Sequence, residues 1–154
     1  MDEREIERMV REALRPRMNL KTALALMERV EQEAARMGVK AVVAVSDAAG
    51  RPVAVHCMDG AYIGSYDVAL NKTYTSVAFQ MSTAKLAELA APGGSLYGIQ
   101  NTNEGKIVIF GGGEPLYVDG GLIGAIGVSG GTAEQDTALG AYGKNILKEV
   151  IAWK

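Results

Sequence analysis

His56 and Cys57, in the stretch "VHCMDGA" (55–61), are the only histidine and the only cysteine of the chain. A neutral imidazole can ligate a metal or a haem iron, and a thiolate is a nucleophile and soft metal ligand, so their adjacency suggests one site. Strand geometry argues against it. If 51–58 is a β-strand, Val53, Val55 and Cys57 share one face and Ala54, His56 and Met58 the other. The first set reads as a core face, with Cys57 a small buried hydrophobe. On the second, Ala54 and Met58 flank His56 with apolar surface where a solvated strand would carry charge. That face is expected to be covered by a partner subunit, a ligand, or both. His56 is then either the metal ligand of a cofactor site or a histidine hydrogen-bonded in an interface, and no set of further ligands completes a zinc site around it.

A second group lies in "SYDVALNKTYTS" (65–76), where Lys72 shares a helix surface with Ala69 and Ser76, and Asp67 and Asn71 form an i, i+4 pair. Lys72 could meet a propionate or another ligand carboxylate, or lie on a solvated face. Gly111, Gly112 and Gly113 of "GGGEP", and the stretch "GVSGGT", could bring backbone N–H groups to a ligand or could serve tight turns and close packing. At "GVSGGT", Glu134 and Asp136 already place negative charge in the following helical turn, which disfavours a phosphate there. Tyr62, Tyr66, Tyr97 and Met58 could line a flat apolar pocket or an interface. No Ser-His-Asp order, paired-carboxylate spacing or P-loop accompanies these residues, so no catalytic constellation is assigned.

The elements that must position them follow from periodicity. Ile6, Met9, Val10, Ala13 and Leu14 make an amphipathic helix of 2–15, stopped by Pro16. A second helix runs from an Asn19 N-cap to a Gly38 C-cap. The period then drops to two: "AVVAVSD" and "RPVAVHCM" read as a hairpin through "DAAG", closed by Gly50. Ser65 caps a third helix, "STAKLAELA" adds a turn or two, and "SLYGIQNTNEG" is a loop. "KIVIF", "PLYV" and "LIGAIGVS" read as three strands, the last two joined by an Asp119–Gly120 turn. Thr132 and Gln135 have capping-box spacing at the start of a final helix reaching towards Trp153. The order α-α-β-β-α-α-β-β-β-α predicts an α+β domain whose five-stranded antiparallel sheet carries its helices mainly on one face. Residues 1–16 form a separate N-terminal helix and 17–154 the domain.

Composition restricts the function classes. The 154 residues, 48% hydrophobic, suffice for one core, and 16 basic against 18 acidic residues give a net charge of −2, with no electrostatic footprint for nucleic acid. A charged N-terminus without a signal-peptide core, and no apolar run near the roughly 20 residues of a membrane span, predict a cytoplasmic protein.

Several stretches together resemble the GlcG/HbpS-type haem-binding family, most of all the C-terminal domain of PduO-type corrinoid adenosyltransferases: "MDGA" (58–61), "SYDVALNKTYTS", "PGGSLYGIQNTN" (92–103), "IVIFGGGEP" (107–115) and "IGAIGVSGGTAEQD" (123–136). The resemblance implies a five-stranded antiparallel sheet with profilin-like layering, homo-oligomers, and haem or a related tetrapyrrole as cofactor. A pocket at or near the subunit interface would involve His56, Met58, Tyr66, Asp67, Asn71, Lys72 and Gly111–Gly113. Two departures stand out: the family commonly has Arg where this chain has Cys57, and His56 is not part of its pattern, so the ligand role of His56 rests on chemistry alone. The adenosyltransferase domain is absent from this sequence, so transfer of adenosyl to cobalt is not expected of it. Residues 2–15 resemble the short helices that lead enzymes into bacterial microcompartments, where the apolar stripe would dock on a shell protein. The short "PRM" linker favours the competing role, packing on the chain's own oligomer. The expectation is a homo-oligomeric haem-binding protein, redox-sensing or cofactor-handling, in the cytoplasm or a microcompartment lumen. The alternatives are an enzyme acting on a small organic substrate, for which Lys72 buried in a pocket would speak, and a non-catalytic scaffold.

Overall fold

Two hairpins set the sheet. Strands β1 (Val42–Asp47) and β2 (Pro52–Cys57) are joined by a turn in which the Asp47 carboxylate accepts the Ala49 and Arg51 N–H groups. Strands β3 (Gly113–Val118) and β4 (Gly121–Ser129) are joined through Asp119 and Gly120, whose φ values of 49° and 76° are those of a type I′ turn matched to strand twist. β4 pairs with β1, giving an antiparallel sheet in the order β2-β1-β4-β3. This arrangement comes from a computed structural model, which describes residues 1–152.

The sheet has four strands, not five. "KIVIF" joins no strand: the Val108 N–H donates 3.0 Å to the Thr75 hydroxyl, which is also 3.4 Å from the Lys106 carbonyl. A side chain of the adjacent helix thus satisfies backbone that a neighbouring strand would otherwise pair, while Ile107 still buries its apolar side chain.

The helices also cover both faces of the sheet, correcting the one-sided expectation. On one face α2 (Leu20–Arg36) and α5 (Ala133–Val150) pack Leu26, Met27, Val30, Leu139 and Leu147 against Val43, Val45, Ile126 and Val128. On the other, α3 (Ser65–Phe79) lies over Val42 and Ala44, with Ala69 in contact, and α4 (Thr83–Ala90) follows it. Each fully buried Leu, Ile or Val contributes about 1.5–3 kcal/mol by leaving water, so central β1, buried on both faces, anchors both layers.

The helix ends follow local chemistry. Asn19 accepts the Thr22 N–H at 2.8 Å, and α2 closes with the Val39 N–H on the Ala34 carbonyl beyond left-handed Gly38. Thr132 and Gln135 form the reciprocal capping box of α5, which ends at Val150; Trp153, the expected limit of that helix, lies outside the described residues. Ser65 is not the cap of α3. It is the first helical residue, Gly64 precedes it in the cap position, and the Ser65 hydroxyl instead lies 3.2 Å from that of Ser129 in a buried contact. The N-terminal helix α1 (Glu3–Leu14), capped by Asp2, buries none of its residues in this chain.

Candidate functional site

β2 is an edge strand, and its pairing places His56 opposite Val43 on the face covered by α2. Burial of Met27, Val30 and Ala34 turns Glu31 to the flank of α2 nearest that edge. There Nδ1 of His56 lies 2.6 Å from Oε1 of Glu31. With the proton on Nδ1 donated to the carboxylate, Nε2 keeps its lone pair and meets no partner among the described residues. The side chain is 42% exposed. A carboxylate on one ring nitrogen with the other left open is how metal-ligating histidines are commonly oriented, since the outer hydrogen bond fixes the tautomer and raises the ligand's basicity.

The apolar neighbours expected around His56 are covered in part by its own chain. Ala54 and Met58 pack against the α2-side core, and the Met58 sulfur accepts the Ala41 N–H at 3.4 Å, so the thioether is turned inward. Glu31, Val55, His56, Cys57 and Met58 line a shallow cleft of about 310 Å³. Cys57 is exposed, which corrects its placement in a core. Alternation holds from Ala54 to Met58, but a bulge opposite Val45 and Ser46 brings Val53 against the α2-side core together with Ala54, correcting its placement beside Val55; α3 packs mainly over β1 and β4, so the end of the edge strand on its side is uncovered. We therefore expect the native protein to titrate one thiol with an aromatic disulfide reagent without denaturant. Cys57→Ser should shift the unfolding midpoint by no more than a surface substitution does, within about 0.5 kcal/mol.

Lys72 forms a second centre on the α3 side. It is fully buried, its ammonium donating 2.7 Å to the Val128 carbonyl and 3.1 Å to Oδ2 of Asp136, with the Phe110 ring centroid at 4.9 Å. The other Asp136 oxygen accepts the Gly131 N–H at 2.8 Å. Burial pushes the Lys72 pKa below the ordinary lysine value, and the Asp136 charge and hydrogen bond pull it the other way. At Val128 the β3–β4 ladder is ending: its N–H still reaches the Gly112 carbonyl, while its own carbonyl takes the lysine. Gly112, at φ 122°, passes so close that a Cβ there would stand 2.7 Å from the ammonium nitrogen. The glycine run thus closes backbone around a buried ion pair.

These residues do not converge on one cavity within the chain. His56 and Met58 lie on the α2 side of the edge strand; Lys72 and Gly111–Gly113 lie where α3, the start of β3 and the end of β4 meet. On α3, Tyr66 and Asp67 are exposed and Asn71 is half-buried. Sequence reasoning missed Glu31, which lies in no motif, gave Phe110 of "IVIFGGGEP" no role of its own, and read Asp136 only as helix-end charge. No three His, Cys, Asp or Glu side chains gather as a metal-ion cluster among the described residues. A single imidazole therefore suits a metal that brings its other ligands with it, as haem iron does with four porphyrin nitrogens.

The comparisons with known proteins bear on the family of the chain and not on its individual donors. The family model described as "Haem degrading protein HbpS-like" matches residues 18–144, leaving α1 outside. A Citrobacter freundii protein described as an uncharacterized 15.0 kDa protein of the dhaT-dhaS intergenic region is 40% identical over 133 residues, 86% of this chain and 94% of its own length. The corrinoid adenosyltransferase PduO of Salmonella typhimurium is 40% identical over 112 residues, 73% of this chain; the match spans only 32% of that relative. Among solved structures, Klebsiella pneumoniae ORFY superposes with a TM-score of 0.84 at 36% identity, over 87% of this chain and 92% of the other. The PduOC:heme complex superposes at 0.80 with 33% identity, over 84% and 94%. By fold, by sequence and across most of its length, the chain belongs to the HbpS-like family.

Proposed function

We propose that this protein is a homo-oligomeric haem-binding protein in which Nε2 of His56 ligates the iron. The observation that carries the reading is the Glu31–His56 pair at 2.6 Å on an open sheet edge, within a family described as haem-degrading and close in structure to a protein solved with heme. Bound haem would supply redox-active iron for sensing or cofactor handling. Glu31 holds the imidazole tautomer. The cleft is open and shallow, whereas a ligand site usually buries most of its occupant, so a second copy of the chain closes it. Exposed Tyr62, Ile63 and Tyr66, just after β2, supply apolar surface for that contact.

α1 carries a second part of the proposal. Its stripe of Ile6, Met9, Val10 and Leu14 is between 46% and 70% exposed, and we assign it to docking on a microcompartment shell protein, with packing on the chain's own oligomer as the competing role. No helix among the described residues is long and apolar enough to cross a membrane. The enzyme alternative gains nothing from Lys72, which is buried but paired with Asp136 and offers no exposed atom to a substrate. Haemin titration tests the proposal: saturable growth of a shifted Soret band is expected, retained by Cys57→Ser, and absence of saturation would overturn it.

A further inference from the structure

The junction between α1 and the domain holds a cavity that the haem reading does not use. It measures about 480 Å³ and lies between the end of α1, the β1–β2 turn and the start of β4. Its cationic lining is Arg15, Arg17 and Arg51; its apolar lining includes Met18, Leu122 and Ile123. Glu12 and Asp47 also reach it, but Asp47 is already committed, its Oδ2 lying 3.1 Å from Nε of Arg51.

Arg15 is the informative residue. Its guanidinium lies against Gly121, in the space where any side chain at that position would begin, so the glycine and the arginine are fitted to each other. Its Nε is buried and finds no acceptor among the described residues. Neither Arg15 nor Arg17 has a carboxylate within ion-pair distance among those residues. A buried donor without an acceptor costs free energy comparable to a lost hydrogen bond, so the Arg15 guanidinium is not satisfied within the described residues. A guanidinium presents its donors as a planar fork matched to two oxygens of one anion.

We infer that this cavity binds a small organic carboxylate, its anion held by Arg15 and Arg17 and its apolar body lying on Met18, Leu122 and Ile123. The site is distinct from the Glu31–His56 cleft. It also joins α1 to the domain, because Arg15 follows the last residue of the helix while its guanidinium rests on β4.

Isothermal titration of the full chain with benzoate tests the inference, with benzamide as the uncharged isostere and inorganic phosphate as an anion lacking an apolar body. Saturable benzoate binding is expected, weakened at least about tenfold by Arg15→Gln and by Arg17→Gln and unchanged by His56→Ala, since a charge-assisted hydrogen bond is worth roughly one to two factors of ten. Arg17 is exposed, so its variant keeps the test valid if Arg15→Gln fails to fold. No saturable benzoate binding, binding that survives the Arg17 substitution, or equal binding of benzamide or phosphate would each overturn it.

Discussion

Lys72→Met is expected to destabilise the protein by about 3–5 kcal/mol, roughly a fifth or more of the stability of an ordinary domain. The cost is not the attraction between Lys72 and Asp136 alone. Removing the ammonium leaves the Asp136 carboxylate, 5% exposed as a side chain, without its countercharge, and leaves the Val128 carbonyl without its 2.7 Å donor at the end of the β3–β4 ladder. The compensating variant separates these effects. In Lys72→Met/Asp136→Asn the charge is gone from both sides, while the amide oxygen can still accept the Gly131 N–H, so most of the loss should be recovered. Urea denaturation of the two variants checks this. Equal destabilisation of single and double variants would mean that shape around Gly112, and not charge, decides the site.

Gly127→Ala should cost about 3 kcal/mol. β4 and α3 approach each other so closely at this residue that an added Cβ would collide with the Ala69 backbone carbonyl, which cannot move aside as a side chain could. α3 would have to lift from the sheet, opening the contact among Val42, Ala44 and Ala69. The same displacement would draw Lys72 away from Val128, so the effects of Gly127→Ala and Lys72→Met should fall short of additive. A thermal melt showing an unchanged midpoint for Gly127→Ala would contradict the close approach.

Much of the fold was legible because it rests on local rules. Asn19, Gly38, the Asp119–Gly120 turn and the Thr132/Gln135 capping box each act within a few residues of themselves, and each stands where its chemistry predicts. The errors came from tertiary context. "KIVIF" has the composition of a strand, but strand composition describes a fit to a half-buried surface, and here the surface is α3 and its Thr75 hydroxyl. The two-sided burial of the sheet did have a signal: Ala41 to Val45 is an unbroken apolar run, the pattern of a strand covered on both faces. Cys57 was misplaced because alternation tells which residues share a face and not whether that face is covered. At the site, His56 was conspicuous as the only histidine, whereas Glu31 is 25 positions away in the chain and becomes its partner only when α2 lies across the sheet.

We propose that the imidazole oriented by Glu31 ligates haem iron. Haemin titration of the wild-type chain, His56→Ala and Glu31→Gln, followed through the Soret and visible bands, tests it most directly. A saturable, shifted Soret band is expected for the wild type, with loss of the shift in His56→Ala and affinity lowered by about 10–100-fold in Glu31→Gln, as for other partners that orient a metal ligand. An identical, saturable Soret band in wild type and His56→Ala would contradict it.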